Sequence, residues 1–136
     1  GVIGMMNTLV QEGAKYDIRI NALAPTAGTR MTEGLIPEDA FALLTPETVT
    51  PAVLYLVSED APNRTILCAG AGAYAVAKIV ETDGTWLSPE EQTPEGLAAH
   101  WDQITATEGE AVPQAGFEQT VKFTSKAMEG LGLKAE

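Results

Sequence analysis

The stretch Ile18-Arg19-Ile20-Asn21-Ala22-Leu23-Ala24-Pro25-Thr26-Ala27-Gly28-Thr29-Arg30-Met31-Thr32 decides the fold class. Its alternate positions Ile18, Ile20, Ala22 and Ala24 are apolar and share one face of an extended chain, which predicts a strand. Pro25 has no amide hydrogen and is expected to end that strand. Residues 26–32 combine a glycine, three threonines and an arginine, and read as a loop.

Upstream of the strand, Val2, Ile3, Met5, Met6, Leu9 and Val10 have helical spacing but cover more than one face. A helix over residues 2–13 is therefore expected to be buried, or to pack against a second subunit. Gly13 is placed to close it as the C-terminal glycine. No initiator Met and no capping side chain precede the helix, so Gly1 reads as a cut end.

Downstream, short helical turns are expected over 31–35 and 38–44. Thr45, Pro46 and Glu47 have the order of a cap, a first-turn proline and a first-turn acid, predicting a helix to about Ser58. Residues 60–63 form a turn, and 65–69 a short buried strand. Helix, strand, loop, helix and strand make the pattern of a parallel sheet flanked by helices. Two strands are too few for such a sheet, so further strands are expected from elsewhere.

After residue 69, Gly70-Ala71-Gly72-Ala73 reads as a bend and Tyr74–Glu81 as extended chain. Asp83-Gly84 predicts a hairpin turn into Thr85-Trp86-Leu87. Helices are expected over 94–107 and 114–130. The domain division drawn from this pattern is 1–87, the α/β part, and 88–136, an acidic helical extension.

Composition narrows the class. The 136 residues are 45% hydrophobic and 20% charged, enough for one core, with no apolar run of membrane-spanning length. Net charge is −11, and residues 81–136 hold eleven acidic against three basic side chains. That excludes the clustered Lys and Arg of a nucleic-acid footprint. Cys68 is the single cysteine and sits in an apolar run, so a reduced compartment and a buried small side chain are the reading. His100 has no second His or Cys near it, and no metal site is supported.

Two motifs overlap at one place. Gly70-Ala71-Gly72-Ala73-Tyr74-Ala75 fits the outline of a dinucleotide-binding turn, and Tyr74-Ala75-Val76-Ala77-Lys78 fits the Tyr-x-x-x-Lys proton-transfer pair. Both need a helix at once after the strand, and the apolar residues here lead directly into Thr82-Asp83-Gly84. Both are read as coincidences.

The loop after the first strand has better grounds. Ligands bind beyond the carboxyl ends of strands in open α/β sheets. The small residues Thr26, Ala27 and Gly28 let the backbone approach a flat, amide-bearing ring, and Thr29, Arg30 and Thr32 supply polar groups. An ordinary surface turn explains the same residues equally well.

The run from Gly1 to Gly13, followed by Ile18-Arg19-Ile20-Asn21 to Pro25, resembles short-chain dehydrogenases/reductases just after their catalytic Tyr-x-x-x-Lys. Ala24–Thr32, Ile36-Pro37-Glu38-Asp39, Pro46-Glu47-Thr48-Val49 and Ala69-Gly70-Ala71-Gly72 are similar to one subgroup. Its members are the (3R)-hydroxyacyl-CoA dehydrogenase domains of peroxisomal multifunctional β-oxidation proteins and their bacterial relatives. Trp101 and Pro113-Gln114 resemble that subgroup's tail.

The resemblance implies the C-terminal part of a Rossmann-like doubly wound parallel sheet with a helical extension. It implies oxidation of 3-hydroxyacyl-CoA to 3-ketoacyl-CoA with NAD or NADP. Pro25, Thr26, Ala27 and Gly28 would bind the nicotinamide end of the cofactor, and Thr29, Arg30 and Thr32 would line the neighbouring pocket. The family's usual Pro-Gly is Pro25-Thr26 here, and Arg30 stands at a usual hydroxyl position. Catalytic Ser, Tyr and Lys would precede Gly1, leaving this chain inactive alone. The first helix would form a homodimer or tetramer interface, with an acyl substrate as the small-molecule partner.

The expected location is cytoplasmic, or peroxisomal in a eukaryote, although Lys134-Ala135-Glu136 is no targeting signal. The rival reading is a non-catalytic α/β binding or interaction domain, folded and monomeric by itself.

Overall fold

The computed structural model describes residues 1–133; Lys134-Ala135-Glu136, to which the targeting reading refers, lie outside the described residues. Two compact units divide the chain, Gly1–Lys78 and Ile79–Glu136.

The first unit contains α1 (Val2–Gly13), β1 (Ala22–Pro25), α2 (Glu38–Leu43), α3 (Thr50–Leu56), β2 (Ile66–Gly70) and β3 (Ala73–Ala77). The sheet order is β1-β2-β3. β1 runs parallel to β2, with Ala22 opposite Ile66 and Pro25 opposite Ala69, and β3 runs antiparallel to β2. The expected parallel sheet is thus mixed, because the turn after β2 folds the chain straight back.

Helices cover both faces. On one, Met6 and Val10 of α1 pack with Ala22, Ile20 and Ile66. On the other, Val49 and Ala52 pack with Ala69, Leu23 and Leu67. Adjacent strand residues point to opposite faces, so Ala22 with Leu23, and Ile66 with Leu67, serve the two layers in turn. The core is thin, and α1 leaves Val2, Ile3, Met5 and Leu9 exposed. Its apolar girth exceeds what this unit buries.

Several expectations are corrected. The end at Pro25 is not among them: Pro25 is the last residue of β1, as expected. Ala22 N–H donates to Thr65 O (2.9 Å) and Thr26 N–H to Ala69 O (2.8 Å), so the even positions face β2. The missing N–H at position 25 points the other way and interrupts nothing. The strand does begin later than residue 18: Ile18 is exposed, and residues 18–21 are tied instead through Ile20 N–H to Asn63 Oδ1 (2.8 Å) and Arg19 Nη1 to Ala61 O (2.8 Å). Gly13 does not reverse the helix. The chain continues as a 3₁₀ turn, Ala14–Tyr16, and Asp17 takes the left-handed conformation at φ 54°. A Cβ on Gly13 would instead lie 3.0 Å from Ile18 O. Thr45 makes no side-chain cap bond; Pro46–Thr48 is a 3₁₀ turn, and α3 starts after it with Pro51 in its first turn.

The second unit contains α4 (Pro94–Ala99), α5 (Trp101–Ile104) and α6 (Gly116–Gly130). The expected helix over 94–107 breaks at His100, whose amide already closes on Gly96 O (3.1 Å) and Ala98 O. Asp83-Gly84 is no hairpin turn. Glu81 bridges Ala111 instead, and Asp83 accepts from Lys126 Nζ (2.7 Å). Lys122, one turn before Lys126 on α6, pairs with Glu81 and donates to Thr82 O (2.8 Å). Residues four apart on a helix thus meet residues two apart on an extended segment, fixing the register between them. Among the described residues, no helix is long and apolar enough to cross a membrane.

The Lys122 hydrogen bond, then that of Gln119, holds the Glu81 carboxyl below its ordinary range, and Lys126 does the same for Asp83. Carboxyls depressed in the folded state stabilise it above their unfolded pKa of about 4, and that contribution is lost as pH falls through the folded values. Both tryptophans, Trp86 and Trp101, report on this unit. The Lys122→Met/Lys126→Met variant should unfold at lower urea than the parent at pH 7, by tryptophan fluorescence. The gap should narrow as pH falls through the folded-state values, which lie below the ordinary carboxylate range. A gap unchanged by acid would show that the pairs do not hold α6.

Candidate functional site

Asn21 joins the two parallel strands from its side chain. Its Nδ2 donates to Pro62 O (2.7 Å), and its Oδ1 accepts from Thr65 N–H (3.0 Å). A side-chain amide, with a donor and an acceptor, satisfies both ends of the turn entering β2. β1 is thereby registered against β2, and its carboxyl end delivers the loop that begins at Thr26.

That loop is held at three points. Thr26 N–H donates to Ala69 O, and the Thr26 carbonyl passes over Gly70, where a Cβ would lie 2.7 Å from it. Gly28 N–H donates to Leu44 O just after α2. A Cβ on Gly28 would lie 3.1 Å from the Phe41 ring and 3.2 Å from Leu44 O. Further on, Thr32 Oγ accepts from Thr29 N–H (2.9 Å) and donates to Thr29 O (3.1 Å), while Thr29 Oγ accepts from Met31 N–H (3.3 Å). The two threonines thus build a turn around residue 30.

The structure therefore brings Pro25, Thr26, Ala27 and Gly28 to the strand end and sets Thr29, Arg30 and Thr32 immediately beyond them. Thr26 and Gly28 amides are engaged inside the protein. Among the described residues, the Ala27 N–H and the Thr26 hydroxyl have no hydrogen-bond partner. One donor and one donor–acceptor side by side, next to a half-buried Ala27, match the two polar functions of a planar carboxamide. Met31 (88% exposed) and Leu35 (75% exposed) continue the loop as an apolar surface. Sequence reasoning missed Asn21 and Gly70 as positioning residues; their partners, Pro62, Thr65 and Thr26, are remote in sequence.

The two overlapping motifs have structural explanations. Gly70 is small because Thr26 crosses it, and Ala71 (φ 50°) with Gly72 (φ 77°) forms a two-residue turn of left-handed conformers. No helix follows. Tyr74 and Lys78 lie on or just past β3, and the Tyr74 hydroxyl donates to Thr48 O (2.9 Å). A cavity of about 430 Å³ lies within the second unit, lined in part by Trp86, Leu87, Leu97 and Phe123, and is separate in sequence from the loop.

No protein-family model matches the chain. Individual proteins do. A short-chain type dehydrogenase/reductase of Mycobacterium tuberculosis is 40% identical over 118 residues, covering 86% of this chain and 40% of the relative. The crystal structure of a short chain dehydrogenase from Mycobacterium avium superposes with a TM-score of 0.55 at 27% identity, over 85% of this chain and 40% of that one. The homologues of this chain are short-chain dehydrogenases/reductases, as the motifs around Asn21–Pro25 implied.

Among them is peroxisomal multifunctional enzyme type 2. The mouse protein is 37% identical over 123 residues, 88% of this chain and 17% of the relative. The full-length Drosophila melanogaster structure superposes with a TM-score of 0.76 at 26% identity, over 95% of this chain and 24% of that one. This chain spans 40% or less of the length of each of these proteins.

Gly70→Ala should destabilise the first unit by about 1–3 kcal/mol, since the added methyl meets backbone that must shift. Ala71→Asn should stabilise it by about 0.5–1 kcal/mol, because asparagine tolerates the left-handed conformation better than alanine. Urea midpoints of the two variants would test this. Midpoints moving in the same direction would contradict the hairpin geometry.

Proposed function

We propose that this chain supplies the nicotinamide-side loop and substrate-side surface of an NAD(P)-dependent oxidoreductase that converts a 3-hydroxyacyl-CoA to the 3-ketoacyl form. The observation that carries the reading is the pair of unengaged polar groups, Ala27 N–H and the Thr26 hydroxyl, at the carboxyl end of β1. The names of the relatives, dehydrogenases and peroxisomal multifunctional enzymes, support the reaction class.

A bound NAD(P)⁺ would supply the hydride acceptor for oxidation of the hydroxyl-bearing carbon, and the hydroxyl proton would leave to a base. Pro25 fixes the loop exit, and the Thr26 hydroxyl and Ala27 N–H would hold the carboxamide of the cofactor. Gly28 lets the loop turn against Phe41. Thr29 and Thr32 shape the turn that carries Arg30 and Met31 towards the acyl-CoA. Tyr74 and Lys78 are not a proton-transfer pair, because they sit on an extended strand with the phenol bound to Thr48 O. The 136-residue chain by itself should therefore show no turnover.

The test is oxidation of 3-hydroxybutyryl-CoA by the full-length polypeptide that carries this chain, followed as nicotinamide reduction. Activity is expected with NAD⁺ or NADP⁺. Thr26→Val should raise the cofactor KM about fivefold, the worth of one hydrogen bond. Turnover by the isolated chain would restore Tyr74 and Lys78 as candidates; an unchanged KM would remove Thr26 from the site.

The exposed apolar side of α1 is, in the same reading, a subunit interface. Met5→Glu in the full-length polypeptide should lower its assembled mass in sedimentation analysis, and an unaltered mass would contradict it.

A further inference from the structure

We infer that the outer edge of β3 pairs with the same strand of a second copy, antiparallel and centred on Ala75. The inference is independent of the proposed reaction. The two-residue turn at Ala71-Gly72 makes Gly70 and Ala73 a hydrogen-bonded pair, and the register then gives Cys68–Ala75 and Ile66–Ala77 as the others. Leu67 and Ala69 turn their backbone to β1 instead, as the Thr26 N–H to Ala69 O bond shows. The amides and carbonyls of Tyr74 and Val76 consequently point away from β2. Among the described residues, none of these four groups has a backbone partner.

An unpaired edge is ordinarily guarded by charge, proline or a bulge. This one is not. No charged residue and no proline occurs from Thr65 to Ala77, and all five β3 residues are exposed. The free groups are also self-complementary. A two-fold axis through Ala75 sets Tyr74 of one copy opposite Val76 of the other, and every outward N–H then meets an outward carbonyl, giving four backbone bonds. No other residue of the strand needs to change direction.

The side chains agree with that register. Tyr74 and Val76 lie on the same face of the sheet as Leu67 and Ala69, the face that α3 covers. The pairing would lay each Tyr74 ring beside the other copy's Val76. On the opposite face only Ala73, Ala75 and Ala77 meet, so nothing bulky or charged obstructs the approach. Tyr74 is 47% and Val76 53% exposed, with the Tyr74 hydroxyl tied to Thr48 O, so the edge is already set. A stable interface buries about 1,000 Å² or more in total, beyond what five edge residues supply. α3, which packs on the Tyr74–Val76 face, leaves Val53, Leu54 and Tyr55 exposed, and Val57 follows it, so apolar surface beyond the strand itself is available.

The experiment uses the full-length polypeptide. Val76→Pro removes an outward N–H while leaving the β2–β3 ladder intact, and should lower assembly by one step, weakening association at least tenfold in sedimentation equilibrium. Far-ultraviolet dichroism checks that the variant is folded. Independently, Cys68→Ala/Ala75→Cys should form a disulfide-linked dimer under mild oxidation; the Cys68 change prevents the bond to its own cross-strand neighbour. Cys68→Ala/Ala73→Cys and Cys68→Ala/Ala77→Cys should not cross-link. A monomeric parent, assembly indifferent to Val76→Pro, or cross-linking through 73 or 77 in place of 75 would overturn the inference, as would a partner strand from a different protein.

Discussion

Thr26 leaves β1 by crossing directly over Gly70, and this contact fixes both halves of the first unit. On one side it lets the Thr26 amide reach Ala69 O and extend the parallel pairing to the last position of the strand. On the other it places the glycine one residue before the Ala71-Gly72 turn, from which β3 starts. A side chain at position 70 would lift the loop off the sheet end. Gly70 is therefore a constraint on the candidate site, even though it belongs to the neighbouring strand.

From that crossing the chemistry follows in order. Asn21 sets the strand register from its beginning, Gly70 sets it at its end, and Leu44 O with Phe41 receives Gly28. With the amides of Thr26 and Gly28 engaged, the Ala27 N–H and the Thr26 hydroxyl stand without a partner among the described residues. A rigid backbone presenting one amide is more selective than a loop presenting several, because the ligand must meet it at a fixed position. The threonine turn at 29–32 keeps Arg30 and Met31 exposed beside it.

The sequence made the layered part legible because each element there satisfies its own periodicity. Residues 2–13 repeat at helical spacing, and the strand positions 22 and 66 each find a buried partner on α1. The location of the loop was readable for the same reason: Pro25 and Gly28 punctuate it. What could not be read was which of its amides are engaged, since Ala69 and Leu44 are supplied by distant segments. The second unit was harder. Asp83-Gly84 has hairpin letters, but Lys126 binds the aspartate and Ala111 pairs with Glu81, so tertiary partners overrode the local turn. The helix over 94–107 failed similarly at His100, whose ring Nδ1 lies 2.9 Å from Gly96 O. The Tyr74-x-x-x-Lys78 pair shows the converse. Its spacing has chemical meaning only on a helix, and Gly72 had already turned the chain into a strand.

The proposed contact between the strand-end loop and the cofactor runs through the Ala27 amide. Residue-resolved amide hydrogen exchange of the full-length polypeptide, with and without NAD(P)⁺, tests it most directly. The Thr26 and Gly28 amides should be protected in both states, and the Ala27 amide should become protected only when cofactor is added. An Ala27 amide that exchanges at the same rate in both states, under conditions where the cofactor is bound, would contradict the account.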